Sequence, residues 1–233
     1  MVGFDIPPGE IHLWWARVSE AEAHLDRLRR TLSSDELERA ARFRVEGAAR
    51  RFVVARAVLR SVLGRATGVD PADVIFAYGE HGKPHLAATD LSFNASDTGD
   101  FVVVALASAE LGVDIEVLRP LARQVRLARR ICTETELETF LANPEAQRDA
   151  ALLRLWTCKE AALKAIGTGL SGGVKNVEAE ISGNRPPRLT RVPGGNDGWT
   201  LLFPKLLEDL LCSVVVRGPD WRVVSQPFLL HST

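Results

Sequence analysis

Cysteine is scarce in this chain and poorly placed for cross-linking. Its 233 residues hold three, Cys132, Cys158 and Cys212. Their odd number and the lack of a Cys-x-x-Cys pair argue against a disulfide framework and a thiolate zinc site, and point to a reducing compartment. Net charge is nearly absent too: 29 Lys and Arg against 30 Asp and Glu leave −1, so no long-range field draws in nucleic acid. No apolar run reaches the length that spans a bilayer. Met1 to Glu10 carries acid and prolines in place of a basic region followed by an apolar one, so no secretory leader is expected. The expectation is a cytoplasmic protein that binds neither membrane nor nucleic acid. A Gly-x-x-x-x-Gly-Lys-Ser/Thr phosphate loop is missing, and Gly167-x-Gly169 follows a helix instead of opening one, which counts against a nucleotide hydrolase.

What is present, 46% hydrophobic and 25% charged residues, suits one large globular domain or two small ones. Ile11 to Val18 alternates as a strand does, and Ser19 with Glu22, then Ser33 with Glu36, read as capping boxes that open helices. A longer helix is predicted from Ala48 to Leu63, stopped by Gly64. Asp70-Pro71 starts a turn, Val74 to Tyr78 reads as a strand, and Gly79 to Pro84 as a loop. Phe101 to Ala107 and Leu111 to Val117 read as an antiparallel hairpin. Beyond Arg119-Pro120 the pattern restarts with a basic helix through Arg130, a second after a Thr133–Glu136 capping box, and a long one from Glu145 to Ile166. Gly167, Gly169, Gly172 and Gly173 end it. Strands are predicted near Val174 to Ile181, Trp199 to Phe203, Leu211 to Val216 and Trp221 to Val224, with a Pro/Gly-rich stretch, Asn184 to Gly198, among them. No repeat is visible in the sequence. The expected class is α+β, in two halves, 1–118 and 119–233, with a cleft between them for a ligand.

Two segments carry the chemistry. In Gly112-Val113-Asp114-Ile115-Glu116 the period of a strand sends both carboxylates to one face. In Trp156-Thr157-Cys158-Lys159-Glu160-Ala161-Ala162-Leu163-Lys164 a helix stacks Glu160 beside Lys164, one turn on. If the two edges meet, the acids form a Mg²⁺ site for phosphate chemistry. Each piece also has an ordinary reading: acids on the solvated face of a strand, and a surface ion pair. Lys159 falls in the apolar stripe of Leu152, Leu155, Trp156, Leu163 and Ile166, so it must snorkel, find a partner or reach an anion.

Val113-Asp114-Ile115-Glu116, the Trp156-x-x-Lys159-Glu160-Ala161-x-x-Lys164-x-x-Gly167-x-Gly169-Leu170 run, Gly82-Lys83-Pro84 and Phe93-Asn94-x-Ser96 together resemble the 4'-phosphopantetheinyl transferases, in their monomeric surfactin-type (Sfp-like) branch. The resemblance implies a pseudo-dimer of two similar α+β halves with coenzyme A between them. It implies transfer of the 4'-phosphopantetheine arm of coenzyme A to a serine of an apo acyl or peptidyl carrier protein, with release of adenosine 3',5'-bisphosphate. Asp114, Glu116 and Glu160 would then hold Mg²⁺. Glu160 would accept the serine proton, Lys164 would stabilise the leaving phosphate, and Lys159 would bind phosphate nearby. Arg51, and with a looser match Arg39, correspond to basic residues for the 3'-phosphate. Lys83 corresponds to a lysine at the adenine and phosphate end, Ser96 to a hydroxyl contact, and Glu136 to a secondary acid that its capping box also explains.

One position departs from the pattern: Asp97 stands where the family commonly has histidine. An ionised aspartate only accepts hydrogen bonds and repels a phosphate, so either it pairs with a nearby arginine or the 3'-phosphate is handled differently. The arginines after Pro120, Arg123, Arg126, Arg129 and Arg130, form either a solvated face or a complement to an acidic carrier helix. The competing function is a catalytically silent module that binds coenzyme A or a carrier protein.

Overall fold

A computed structural model describes residues 5–87, 89–169, 173–182, 186–195 and 198–230. The expected roles of Leu170 and Gly172 lie outside the described residues. The chain forms two compact units. Of the described residues, one comprises those up to Ala77, those of His85–Ser108 and those from Arg222 on; the other comprises those of Tyr78–Pro84 and Ala109–Trp221. This division puts 109–118 with the second unit and returns the C-terminal strand to the first, whereas the sequence reading divided the chain at 118.

In the first unit, β1 (Glu10–Arg17) pairs antiparallel with β5 (Phe101–Ala107) and parallel with β11 (Arg222–Pro227), while β4 (Ser92–Thr98) pairs with the other edge of β5. All of β5 is buried, as a strand flanked on both edges and covered by a helix should be. That helix is α3 (Glu46–Thr67). Its Val54, Val58 and Leu63, each 0% exposed, share a core with Val102, Val104 and Leu106, and each such side chain contributes about 1.5–3 kcal/mol by leaving water. Short helices α1 (Leu25–Arg29) and α2 (Ser34–Ala41) precede it. A two-residue ladder of β2 (Ala77–Tyr78) with β3 (Pro84–His85) brackets the Gly79–Lys83 turn.

In the second unit, β10 (Leu210–Arg217) pairs antiparallel with β6 (Leu111–Val117) and with β9 (Trp199–Leu202). The helix α6 (Glu145–Ile166) packs on this sheet, where Leu152, Leu155, Cys158 and Ala162 meet Val215 and Leu201. Ahead of it run α4 (Gln124–Ile131) and α5 (Glu134–Ala142); β7 (Glu178–Glu180) pairs with β8 (Arg188–Arg191).

The two units repeat one device. In each, a 22-residue helix ends on a left-handed glycine, Gly68 at φ 74° or Gly167 at φ 77°. In each, a capping-box glutamate on an earlier short helix meets a buried cation of that long helix. Glu36 meets Arg60, which is 2% exposed and donates to the carbonyls of Pro71, Ala72 and Val74. Glu136 meets Lys159 in the same way. The two α+β halves are therefore built alike although their sequences show no repeat.

Several local expectations change. Phe101–Ala107 and Leu111–Val117 are not a hairpin, because β5 uses both edges for β1 and β4 and β6 pairs with β10. Ser19 is not a helix cap: its amide and hydroxyl both donate to Asp100, inside a 3-10 turn from Val18 to His24. Gly64 does not stop α3, which runs on to Thr67; it is glycine because a Cβ would lie 2.7 Å from Val69 O. Only Ala77–Tyr78 of the 74–78 strand and Glu178–Glu180 of the 174–181 strand form.

Candidate active site

Along β6, Gly112, Asp114 and Glu116 share the face that the strand period assigns them. At Gly112 the strand touches α6 backbone to backbone: a Cβ there would lie 2.1 Å from Ala161 O and 2.4 Å from Ala165 N. Only glycine permits this approach. Two residues on, Asp114 is 7% exposed, and its Oδ1 accepts from Lys164 Nζ at 2.6 Å. Lys164 also donates to Val113 O at 3.2 Å.

Glu160 sits one turn before Lys164 on α6. Burial pushes its carboxyl above the usual carboxylate range, the like charge of Asp114 pushes the same way, and Lys164 opposes both. Its Oε1 is buried and accepts no hydrogen bond among the described residues. An acceptor left in that state is costly and invites a cation or a donor. Asp114 and Glu160 are hard oxygen ligands, so the pair fits an ion of the Mg²⁺ type, with other positions left to phosphate oxygens and water. Glu116, on the same strand face, has its Oε2 accepting from Arg119 Nη1 at 3.1 Å. Among the described residues no group of three His, Cys, Asp or Glu side chains is placed to hold a metal. The expected three-carboxylate cluster is therefore not assembled among the described residues.

Lys159, expected beside phosphate, is turned to backbone carbonyls and to Glu136. It is 0% exposed, and its ammonium donates to Ile131 O at 2.9 Å, Val174 O at 3.3 Å and Val177 O at 2.7 Å, with Glu136 Oε2 at 2.6 Å. An ammonium has three hydrogens, and this set saturates them. Glu136 is equally occupied: it caps Thr133 N at 2.8 Å and accepts from Ala179 N at 3.0 Å. The lysine in the apolar stripe is a buried tie between α6 and the backbone around it.

Lys83 is likewise turned to carbonyls, those of Leu111 at 3.1 Å and Ala165 at 2.8 Å. Burial pulls its pKa down to about 8, against the opposing charge of Glu110. In the first unit, Arg51 Nε is 2.9 Å from Asp97 Oδ2 and its Nη1 donates to Gly99 O at 3.4 Å. Of the two outcomes open for Asp97, pairing with an arginine is the one found, and the arginine is the phosphate candidate itself. Ser96, the next residue back on β4, is 8% exposed. Arg39 is exposed and stacks over Phe52 at 5.1 Å. Sequence reasoning missed Gly112 and Arg119; a glycine within a strand was the available signal of a close backbone approach.

The chain was compared with known proteins. A family model described as the 4'-phosphopantetheinyl transferase superfamily matches residues 110–215, and one described as 4'-phosphopantetheinyl transferase, N-terminal, matches residues 15–109. The 4'-phosphopantetheinyl transferase HetI of Nostoc sp. is 36% identical over 218 residues, covering 91% of this chain and 90% of that protein. A 4'-phosphopantetheinyl transferase of Bacillus subtilis is 33% identical, covering 84% of this chain and 87% of its own length. The 4'-phosphopantetheinyl transferase Sfp of Bacillus subtilis is 32% identical, with 60% and 62% covered.

Proposed function

The chain belongs to the 4'-phosphopantetheinyl transferase superfamily, and on that premise we propose that the face where β6 crosses α6 carries its chemistry. It is an enzyme that transfers the phosphopantetheine arm of coenzyme A to carrier proteins, in the Sfp-like branch. The observation that carries the assignment of the site is the orphaned Glu160 Oε1 beside Asp114.

Asp114 and Glu160 would hold Mg²⁺, with Glu116 the third candidate if its bond to Arg119 opens. When bound, the ion neutralises the diphosphate of coenzyme A and favours departure of its bridging oxygen. The carrier serine oxygen forms a bond to the phosphorus that bears the pantetheine arm, and the bond from that phosphorus to the bridging oxygen breaks. The serine proton passes to Glu160 or to a water it orients, a role that its raised pKa suits. Lys164 stabilises the charge that grows on the departing adenosine 3',5'-bisphosphate.

Arg51 and Ser96 are read as contacts for the coenzyme, with Arg51 shared between Asp97 and the 3'-phosphate. The exposed arginines Arg123, Arg126, Arg129 and Arg130 on and beside α4 are read as the complement of an acidic carrier segment. A monomeric, cytoplasmic protein fits both ligand-bearing elements coming from one chain and three free, buried cysteines. No described helix is long and apolar enough to cross a membrane.

The test is the mass of a purified apo carrier protein after incubation with coenzyme A, with Mg²⁺ or with excess chelator. A phosphopantetheine mass increment that needs Mg²⁺ supports the reading. Binding of coenzyme A or carrier without transfer supports the silent module instead.

A further inference from the structure

We infer that Lys83 is a positioning residue for the transfer reaction, pinning β6 to the end of α6 so that Asp114 stays opposite the Glu160–Lys164 edge. The inference rests on the reading above that this crossing is the reactive face. Beside Asp114 the crossing is tied by Lys164, which donates to Val113 O at 3.2 Å and to Asp114 Oδ1 at 2.6 Å; the Gly112 end is different. With no side chain at Gly112, the strand and the helix meet along bare backbone, and side chains do not interlock there as they do where two elements pack by ridges and grooves.

Lys83 adds a second tie at the Gly112 end of the crossing. One carbonyl that it binds, Leu111 O at 3.1 Å, precedes Gly112; the other, Ala165 O at 2.8 Å, follows Lys164. A single ammonium thus spans the strand and the helix at the point of contact. Ala165 O is among the last carbonyls of α6, which ends at Ile166, so it has no donor within the helix, and a cation there also meets the favourable end of the helix dipole. The side chain is held from behind. Gly79 N donates to Lys83 O at 3.0 Å, Gly82 turns the chain at φ 80°, and Pro84 fixes the following φ. A Cβ on Gly167 would lie 3.4 Å from Lys83 Cδ, so the stem passes close along the glycine that ends the helix. Two of the three ammonium hydrogens are thus given to these backbone carbonyls.

Lys83→Met keeps the stem and removes the donors. The expected result is a fall in kcat on the order of tenfold with KM for coenzyme A held within about twofold, as for loss of alignment without loss of a ligand. A risen KM with unchanged kcat makes Lys83 a ligand and overturns the inference; unchanged kcat and KM overturn it as well. Should Lys83→Met fold poorly, Lys83→Cys can be treated with 2-bromoethylamine, which restores an ammonium at nearly the original reach. The native thiols are buried, with pKa values pushed up to about 11 for Cys132 and about 12 for Cys158 and Cys212, so they react slowly. Recovery of kcat on aminoethylation, and none with a neutral thiol cap of similar size, is expected; equal recovery with both overturns the inference. A readout without turnover separates this from the function itself: amide exchange at Gly112–Asp114 should quicken in Lys83→Met. If the wild type transfers nothing, the reading of the function fails while this exchange still decides the pin.

Discussion

Asp114 Oδ1 lies 2.6 Å from Lys164 Nζ, an ion pair that joins the acidic strand to the helix that bears Glu160. The pair offsets Asp114 but leaves Glu160 held above its usual range and short of a donor. A site that stores an unfavourable charge trades stability for function.

Glu160→Gln should therefore stabilise the protein, by about 1 kcal/mol, because it removes a desolvated charge and its repulsion with Asp114. Transfer should fall by about 100-fold or more with loss of the proton acceptor. Urea unfolding without divalent ions, beside a transfer assay, checks both. A destabilised variant would mean that Glu160 is a structural acid.

Lys159→Met strands Glu136 in the core of the second unit. Removing one partner of such a buried pair typically destabilises by about 3–5 kcal/mol. The folded fraction, assayed at low temperature, should keep the wild-type KM for coenzyme A. A raised KM with little loss of stability would restore Lys159 to the phosphate.

Asp97 holds Arg51, Oδ2 to Nε at 2.9 Å, and on the proposal that Arg51 meets the 3'-phosphate the two anions compete for it. Asp97→His should free the guanidinium and raise the preference for coenzyme A over dephospho-coenzyme A, by about tenfold if one charge-assisted hydrogen bond is regained. Comparing kcat/KM for the two donors checks this. An unchanged ratio would remove Arg51 from the phosphate subsite.

Lys83 gives a signed dependence on pH. Its pKa falls from 10.5 in the unfolded chain to about 8 in the folded protein, through burial, with Glu110 opposing. Between those values the unfolded chain binds more protons, so stability gains from pH 8 upward and the full gain is present above 10.5. The neutral amine keeps two hydrogens for its two carbonyls. The stability of wild type relative to Lys83→Met should rise from pH 7 to pH 9.5 in urea unfolding. A flat difference would mean that the ammonium is solvated.

Much of this architecture was legible where the signal is local. The limits of α6, the Ser33–Glu36 and Thr133–Glu136 capping boxes and the stop at Gly167 follow from neighbouring residues and are legible in them. What failed depends on distant partners. The supposed hairpin of β5 and β6 dissolves because their mates, β1, β4 and β10, are remote in sequence. Gly64 looked like a stop because packing against Val69 O cannot be read from a helix pattern. The apolar stripe marks Lys159 as anomalous, yet its acceptors lie at Ile131, Val174 and Val177, remote in sequence, and the capping box of Glu136 does not reveal its pairing with Lys159. Arg119 pairs with Glu116 only three residues away, a contact that the period of a strand does not reveal.

The central claim is that Asp114 and Glu160 act together on the diphosphate of coenzyme A. Single-turnover transfer to an apo carrier protein, measured for wild type, Asp114→Asn, Glu160→Gln and the double variant across a Mg²⁺ titration, tests it most directly. The account expects each single change to remove most of the rate and the double change to add little, as for residues that work as one unit. Wild-type rates in either single variant, or losses that multiply as for independent sites, would contradict it.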